Sequence, residues 1–346
     1  VFLPGGPAAS ALVPALTMVG PCHISTKDEK MLLTNEFSWT KKANGIFIDA
    51  PGGTGFSLGK YEATMDDFVD NIYKTLLAII EREPHVKDNL HLVGYSFDGS
   101  TATLLAKKVI SSKGDNKINL KKLLILSGSM GPIDMYRGAV EMARNRKLLH
   151  PDVIAKMATD SYTCAEKLKP CQPTSSRPQP DPVACAEAFR FCDDALTEPL
   201  HKAKISQYDV RVKPGFESEY FELQSGRPGK YMNEKSVQDA MGTHKYWIPS
   251  DPQVFSAFEK YGAYDTTAVV SELLDSGLQV MVFNGDQDFV CNSIGAYHWV
   301  TNLNGRVNYG KILARAKPKT LKFKLGGPLG TMRKAVYANG ASLAYL

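Results

Sequence analysis

The sequence predicts an α/β protein, a doubly wound and mostly parallel sheet interrupted by a cap insertion. Short apolar runs alternate with helical patterns, glycine-rich turns join them, and one long middle segment breaks the alternation. Ile46–Ile48 reads as a short buried strand entering the turn Asp49-Ala50-Pro51-Gly52-Gly53-Thr54-Gly55. Between Asp66 and Glu83, apolar residues at Phe68, Ile72, Leu76, Ile79 and Ile80 have helical spacing. Leu90–Val93 is a buried strand running through Gly94-Tyr95-Ser96-Phe97-Asp98-Gly99 into an apolar helix over Thr101–Ile110, and Leu123–Leu126 is a further strand. Charged helices, paired cysteines and the low-complexity stretch Gln172–Pro180 then take over, and strand character returns at Leu278–Phe283. The expected organisation is residues 1–130 as the first part of the core, 131–241 as the cap, and 242–346 as the second part of the core.

Size and charge agree with one large core plus an insertion. The 346 residues are 43% hydrophobic and 22% charged, within the ordinary globular range. No stretch approaches the ~18 consecutive apolar residues of a membrane helix, so no membrane partner is expected. The net charge of +5 comes from scattered lysines without interleaved aromatics, which argues against nucleic acid. The densest basic stretch, Lys311–Lys324, reads as a solvated loop followed by a strand.

None of the six cysteines has the C-x2-C spacing of a zinc site, so no metal is expected. Cys164, Cys171, Cys185 and Cys192 lie in an irregular region of the kind that disulfides staple in an oxidising compartment. Their three possible pairings stay open. The opening Val1-Phe2-Leu3 reads as a strand already ending, with no signal peptide visible, so the natural beginning is expected to be absent.

Two residues point to nucleophilic chemistry. Gly94-x-Ser96 lies between an apolar strand and a helix, where a sharp turn exposes a serine oxygen and leaves the next amide free for an oxyanion. An ordinary glycine-bounded turn is the alternative, since the G-x-S-x-x-G spacing departs from the stricter G-x-S-x-G. Asp288 follows a later strand, the place of a triad acid when the order is serine, acid, histidine. By itself, a strand-end aspartate more often serves a turn.

Five segments together resemble the serine carboxypeptidase family, in order and spacing. They are Gly5-Gly6-Pro7, Asn35-x-Phe37-Ser38-Trp39, Asp49-x-Pro51-Gly52-x-x-Gly55-Phe56-Ser57, Gly94-x-Ser96 and Gly285-Asp286-x-Asp288-Phe289-Val290-Cys291-Asn292. The resemblance implies an α/β-hydrolase fold, Ser96 as nucleophile, Asp288 as the acid, and the amides of Gly6 and Phe97 as oxyanion hole. It also implies Gly5 and Tyr95 at the substrate, Cys291 as a buried thiol near the site, and no metal or organic cofactor. The implied activity is removal of the last residue of a peptide substrate, in a lysosomal, vacuolar or secreted setting.

The pattern also departs from the family. The family's histidine lies in a Gly-His-x-x-Pro loop beyond the last strand, and the sequence is expected to end at Leu346 before it. Only His298 follows Asp288, ten positions on, where it reads as a helix-surface residue. Pro4, Met18 and Tyr95 stand where the family has an asparagine and two glutamates that bind the terminal carboxylate. Ala8 and Ala9 replace the usual glycine and cysteine, and Asp98 puts a charge where helix and strand converge. A non-catalytic homologue that binds a peptide or partner, and an esterase or acyltransferase, are therefore the competing expectations.

Overall fold

In the computed structural model, the described residues are 1–114, 117–172, 181–212, 215–216, 226–323 and 326–346. The Pro173–Pro180 part of the low-complexity stretch, and Lys324, lie outside them. Strands β1 (Phe2–Leu3), β4 (Leu90–Tyr95), β5 (Leu120–Leu126), β6 (Gln279–Phe283), β7 (Lys319–Lys322), β8 (Pro328–Val336) and β9 (Ser342–Tyr345) form one sheet. Its order is β1-β4-β5-β6-β9-β8-β7. The first five in that order are parallel, and β8 and β7 close the far side antiparallel. A separate hairpin pairs β2 (Cys22–Ile24) with β3 (Leu32–Thr34).

The register explains why short apolar runs suffice. Leu92, Leu123, Val280 and Leu343 are successive partners across four strands, so one row of side chains meets the helices together. All four are buried in the main core with Phe68, Ile72, Leu76, Leu105 and Val109. Each such side chain contributes roughly 1.5–3 kcal/mol of burial. The adjacent row of Val93, Leu124 and Met281 is only half-buried.

The helix Met65–Arg82 starts where Thr64 accepts the Asp67 N–H at 3.1 Å, with Asp66 and Asp67 in the first turn and Arg82 in the last. These charges complement the helix dipole. The expected strand at Ile46–Ile48 reduces to one parallel bridge between Phe2 and Phe47. The reason lies just beyond it: the Asp49 carboxylate accepts the Ala11 and Phe56 amides, each at 2.9 Å, and so commits the chain to the glycine turn instead of a longer ladder.

The helices between Pro132 and Lys202 share a second apolar cluster that includes Met142, Met157, Leu168, Leu196 and Leu200. Here the open question of disulfide pairing is answered. Cys164 bonds Cys192, and Cys171 bonds Cys185 inside that loop, tying helix Pro151–Leu168 to helix Pro182–Leu196. Cys291 is a free, buried thiol, as expected, and Cys22 is also free.

A digest of the non-reduced protein is expected to yield these two cross-linked pairs. The double variant Cys164→Ala/Cys192→Ala, which opens a loop of separation 28, is expected to cost about 2–4 kcal/mol in denaturant unfolding.

Candidate active site

Ser96 stands at the carboxyl end of β4 with φ of 54°, a left-handed conformation that costs a non-glycine residue strain. Tertiary bonds hold it there. The Ser96 N–H donates to Leu126 O at 3.0 Å, and Ser96 O accepts from Gly99 N at 3.0 Å and Ser129 N at 2.9 Å. The helix Asp98–Ser111 then returns close over the strand. A Cβ at Gly94 would sit 2.2 Å from Asp98 O and 2.6 Å from the Ala102 Cβ, so no larger residue fits there.

A cavity of about 310 Å³ opens above Ser96, lined in part by Gly6, Phe97, Cys291, Asp193 and His201. Gly6 and Phe97 contribute amides that have no hydrogen-bond partner among the described residues. Unpaired N–H groups at a serine are the equipment for stabilising a developing oxyanion. Gly5 has another role, because its N–H is donated to Asp98 Oδ2 at 2.8 Å and it does not line the cavity. Tyr95 is not a lining residue either: its ring lies 6.4 Å from Phe2, in an apolar cluster with Val19, Phe47 and Phe283.

Asp288 is carried by the loop after β6. The Asn284 side-chain amide closes this loop on Cys291 O at 2.8 Å, and Cys291 N–H donates to Asp288 Oδ1 at 2.9 Å. Ser127, itself left-handed at φ of 42°, also hydrogen-bonds Asp288. The helical segment and the irregular stretch after it grip the loop from outside. Arg146 donates to Gln287 Oε1 and Asp286 O, both at 2.6 Å, Val210 N donates to Gln287 O, and Gln207 O accepts from Phe289 and Val290. Cys291 lines the cavity with Ser96 and donates its N–H to Asp288, so the Ser96 and Asp288 loops meet at this residue. Burial, reinforced by the nearby Asp288 charge, pushes the thiol well above its ordinary value and keeps it neutral.

Burial also dominates the carboxyls of Asp288 and Asp98. It raises Asp288 to about 7, against the bonds from Cys291, Ser127 and Val290 that favour the ionised form. It raises Asp98, 4% exposed, to about 6, opposed by the bonds from Thr101 and Gly5. No histidine bonds Ser96 among the described residues. His298 lies 3.7 Å from Glu141. His201 does line the cavity, which its sequence context had not suggested, yet its Nδ1 contacts Glu198 at 3.2 Å. Sequence reasoning also missed Ser127 and Arg146, whose roles arise from residues over 140 positions apart and carry no local signal. For Asp98 a signal existed, a charge in a close-packed turn, but not its partner.

A strained serine at a strand-to-helix turn of a mostly parallel sheet, with an aspartate carried by the loop after a later strand, is the arrangement of an α/β-hydrolase. The chain belongs to the serine carboxypeptidase family, whose pattern it matches over residues 1–323. It is 27% identical to the vacuolar serine-type carboxypeptidase ATG42 of Saccharomyces cerevisiae, over 88% of this chain and 60% of that one. It is 28% identical to carboxypeptidase Y homolog A of Coccidioides posadasii, over 90% and 58%. The chain thus spans about three-fifths of these relatives' length. The crystal structure of KEX1(delta)p, a prohormone-processing carboxypeptidase from Saccharomyces cerevisiae, superposes with a TM-score of 0.82 at 20% identity, covering 100% of this chain and 77% of that one. At that identity the likeness is one of fold.

The raised carboxyl of Asp288 has a signed consequence for stability. Unfolded, an aspartate titrates near 3.9. Between about pH 4 and 7 the folded form therefore binds the extra proton, and stability falls as pH rises through that window. Asp288→Asn is expected to shrink the difference in unfolding free energy between pH 4.5 and 7.5 by roughly 1–3 kcal/mol, measured by urea unfolding at both values.

Proposed function

We propose that this protein removes C-terminal residues from peptides by acyl transfer to Ser96. The observation that supports this reading is that Ser96 lines one cavity with Gly6 and Phe97, whose amides have no partner among the described residues, and with Val290 and Cys291 of the Asp288 loop. In the proposed reaction, Ser96 Oγ attacks the last peptide carbonyl and loses its proton to a base. The carbonyl oxygen becomes an oxyanion facing the two amides. Collapse expels the terminal amino acid, whose amine takes up the proton, and water then releases the acyl group by the same steps.

The base is an imidazole oriented by Asp288, and none of the described histidines bonds Ser96. Strand β9 runs to this edge, where Leu346 O accepts the Asn284 N–H at 2.9 Å, four positions before Asp288. In the family's pattern the histidine loop follows the last strand, so it would enter at this edge. We therefore propose that residues 1–346 alone are a poor catalyst. A vacuolar, lysosomal or secreted setting is supported by the two disulfides and by the name of the yeast relative.

A second reading is favoured by the residues at the carboxylate-binding positions. Pro4 and Met18 offer no side-chain donor, and Tyr95 packs among apolar rings instead of lining the cavity. With those binders lost, the same serine serves an ester or acyl-transfer substrate, or the cleft only binds a peptide.

The full-length protein is expected to hydrolyse a peptide with a free C-terminus, and Ser96→Ala to abolish turnover. Residues 1–346 alone are expected to retain no more than the ~10³–10⁴-fold advantage over water that survives loss of a triad member. Equal rates on the free and amidated peptide, or activity on a simple ester alone, would replace the carboxypeptidase reading with the second. Peptide turnover by residues 1–346 that vanishes in Ser96→Ala would refute the missing base.

A further inference from the structure

The Gly5–Gly6 segment is the least constrained kind of backbone, with φ of +91° and +117° in two consecutive glycines. Only Gly6 lines the cavity, and its amide has to be held in place for any oxyanion formed at Ser96. The preceding Pro4 has no N–H. The contact that joins this segment to the Ser96 helix is the bond from Gly5 N–H to Asp98 Oδ2, at 2.8 Å. The other oxygen of Asp98 is fixed by the Thr101 hydroxyl at 2.7 Å, so the carboxylate has one orientation. Fit is tight as well as polar: a Cβ at Gly5 would lie 2.5 Å from Tyr95 O and 2.8 Å from the Ser96 Cβ.

We propose that Asp98 is the positioning residue of the oxyanion loop: by accepting the Gly5 N–H, it holds the Gly6 amide in register with Ser96. This rests on the reading of Ser96 as nucleophile. The bond is strongest when Asp98 is ionised. Burial raises its carboxyl to about 6, and no charged group on the Pro4–Gly6 segment, on β4 or on the helix Met65–Arg82 shifts it further. Below that pH the carboxyl gains a proton and the charge assistance is lost, so the loop loosens on the acid side.

The test uses the full-length protein. Asp98→Ala is expected to lower kcat on a peptide about 10–100-fold with little change in KM, the signature of a donor displaced in the transition state. Asp98→Asn, whose amide oxygen still accepts the Gly5 N–H, is expected to restore kcat toward wild type and to remove the acid-side fall near pH 6. Hydrogen exchange in a peptide covering residues 1–9 is expected to quicken in Asp98→Ala and not in Asp98→Asn. Unchanged kcat and exchange in Asp98→Ala would overturn the proposal, as would equal losses in both variants. If Asp98→Ala does not fold, the pH dependence of kcat and of exchange in wild type against Asp98→Asn decides, and identical profiles overturn it. A wild-type protein that turns over no peptide refutes the carboxypeptidase reading instead; the tether is then judged by exchange alone, with quickening confined to Asp98→Ala in its favour and equal exchange against it.

Discussion

The return of the helix Asp98–Ser111 over strand β4 is the constraint on which the rest of the site depends. The approach is close enough that Gly94 has no room for a side chain, and it forces Ser96 into a left-handed turn. Three backbone bonds, to Leu126, Gly99 and Ser129, sustain that turn. Strain of this kind costs about 1–3 kcal/mol and persists only where surrounding structure over-determines it. Here the parallel register of β4 with β5 supplies the support, because Leu126 and Ser129 belong to β5 and the turn that follows it.

The same geometry explains the second carboxylate. An aspartate in the first turn of a helix suits the dipole, but Asp98 is too buried to be a solvated charge. Its two bonds, from Gly5 and Thr101, offset part of the desolvation cost without removing it. Asp288 stands in a similar balance, with amide and hydroxyl donors set against burial. Each carboxyl therefore lies above its ordinary value, and each penalises the folded state as pH rises toward neutrality. An acidic setting relieves that penalty.

The acid loop is secured from two sides. Asn284 closes it internally, while Arg146 of the helical segment and Gln207 and Val210 of the irregular stretch that follows that segment hold its outer edge. The nested disulfides stiffen that segment, which has its own apolar cluster containing Phe289 of the acid loop. The covalent clamp and the position of Asp288 are thus mechanically connected through packing as well as hydrogen bonds.

By itself the sequence determined the sheet class and the placement of Ser96 and Asp288 after strands, because strand, turn and helix leave local signals in apolar spacing and glycine. It also determined that four cysteines staple one segment and that Cys291 stands apart. It misjudged Ile46–Ile48, where apolar residues promised a ladder that Asp49 ends by bonding Ala11 and Phe56. Only the tertiary structure decided which cysteines pair, that His201 faces the cavity, and that Gly5 bonds Asp98 instead of lining it. It also placed Tyr95 among apolar rings and gave Asp288 its partner Ser127. The physical reason is range: the first set depends on neighbours within a few residues, whereas the second depends on where distant backbone segments come to rest, and a hydrogen bond across 93 positions leaves no trace in either local pattern.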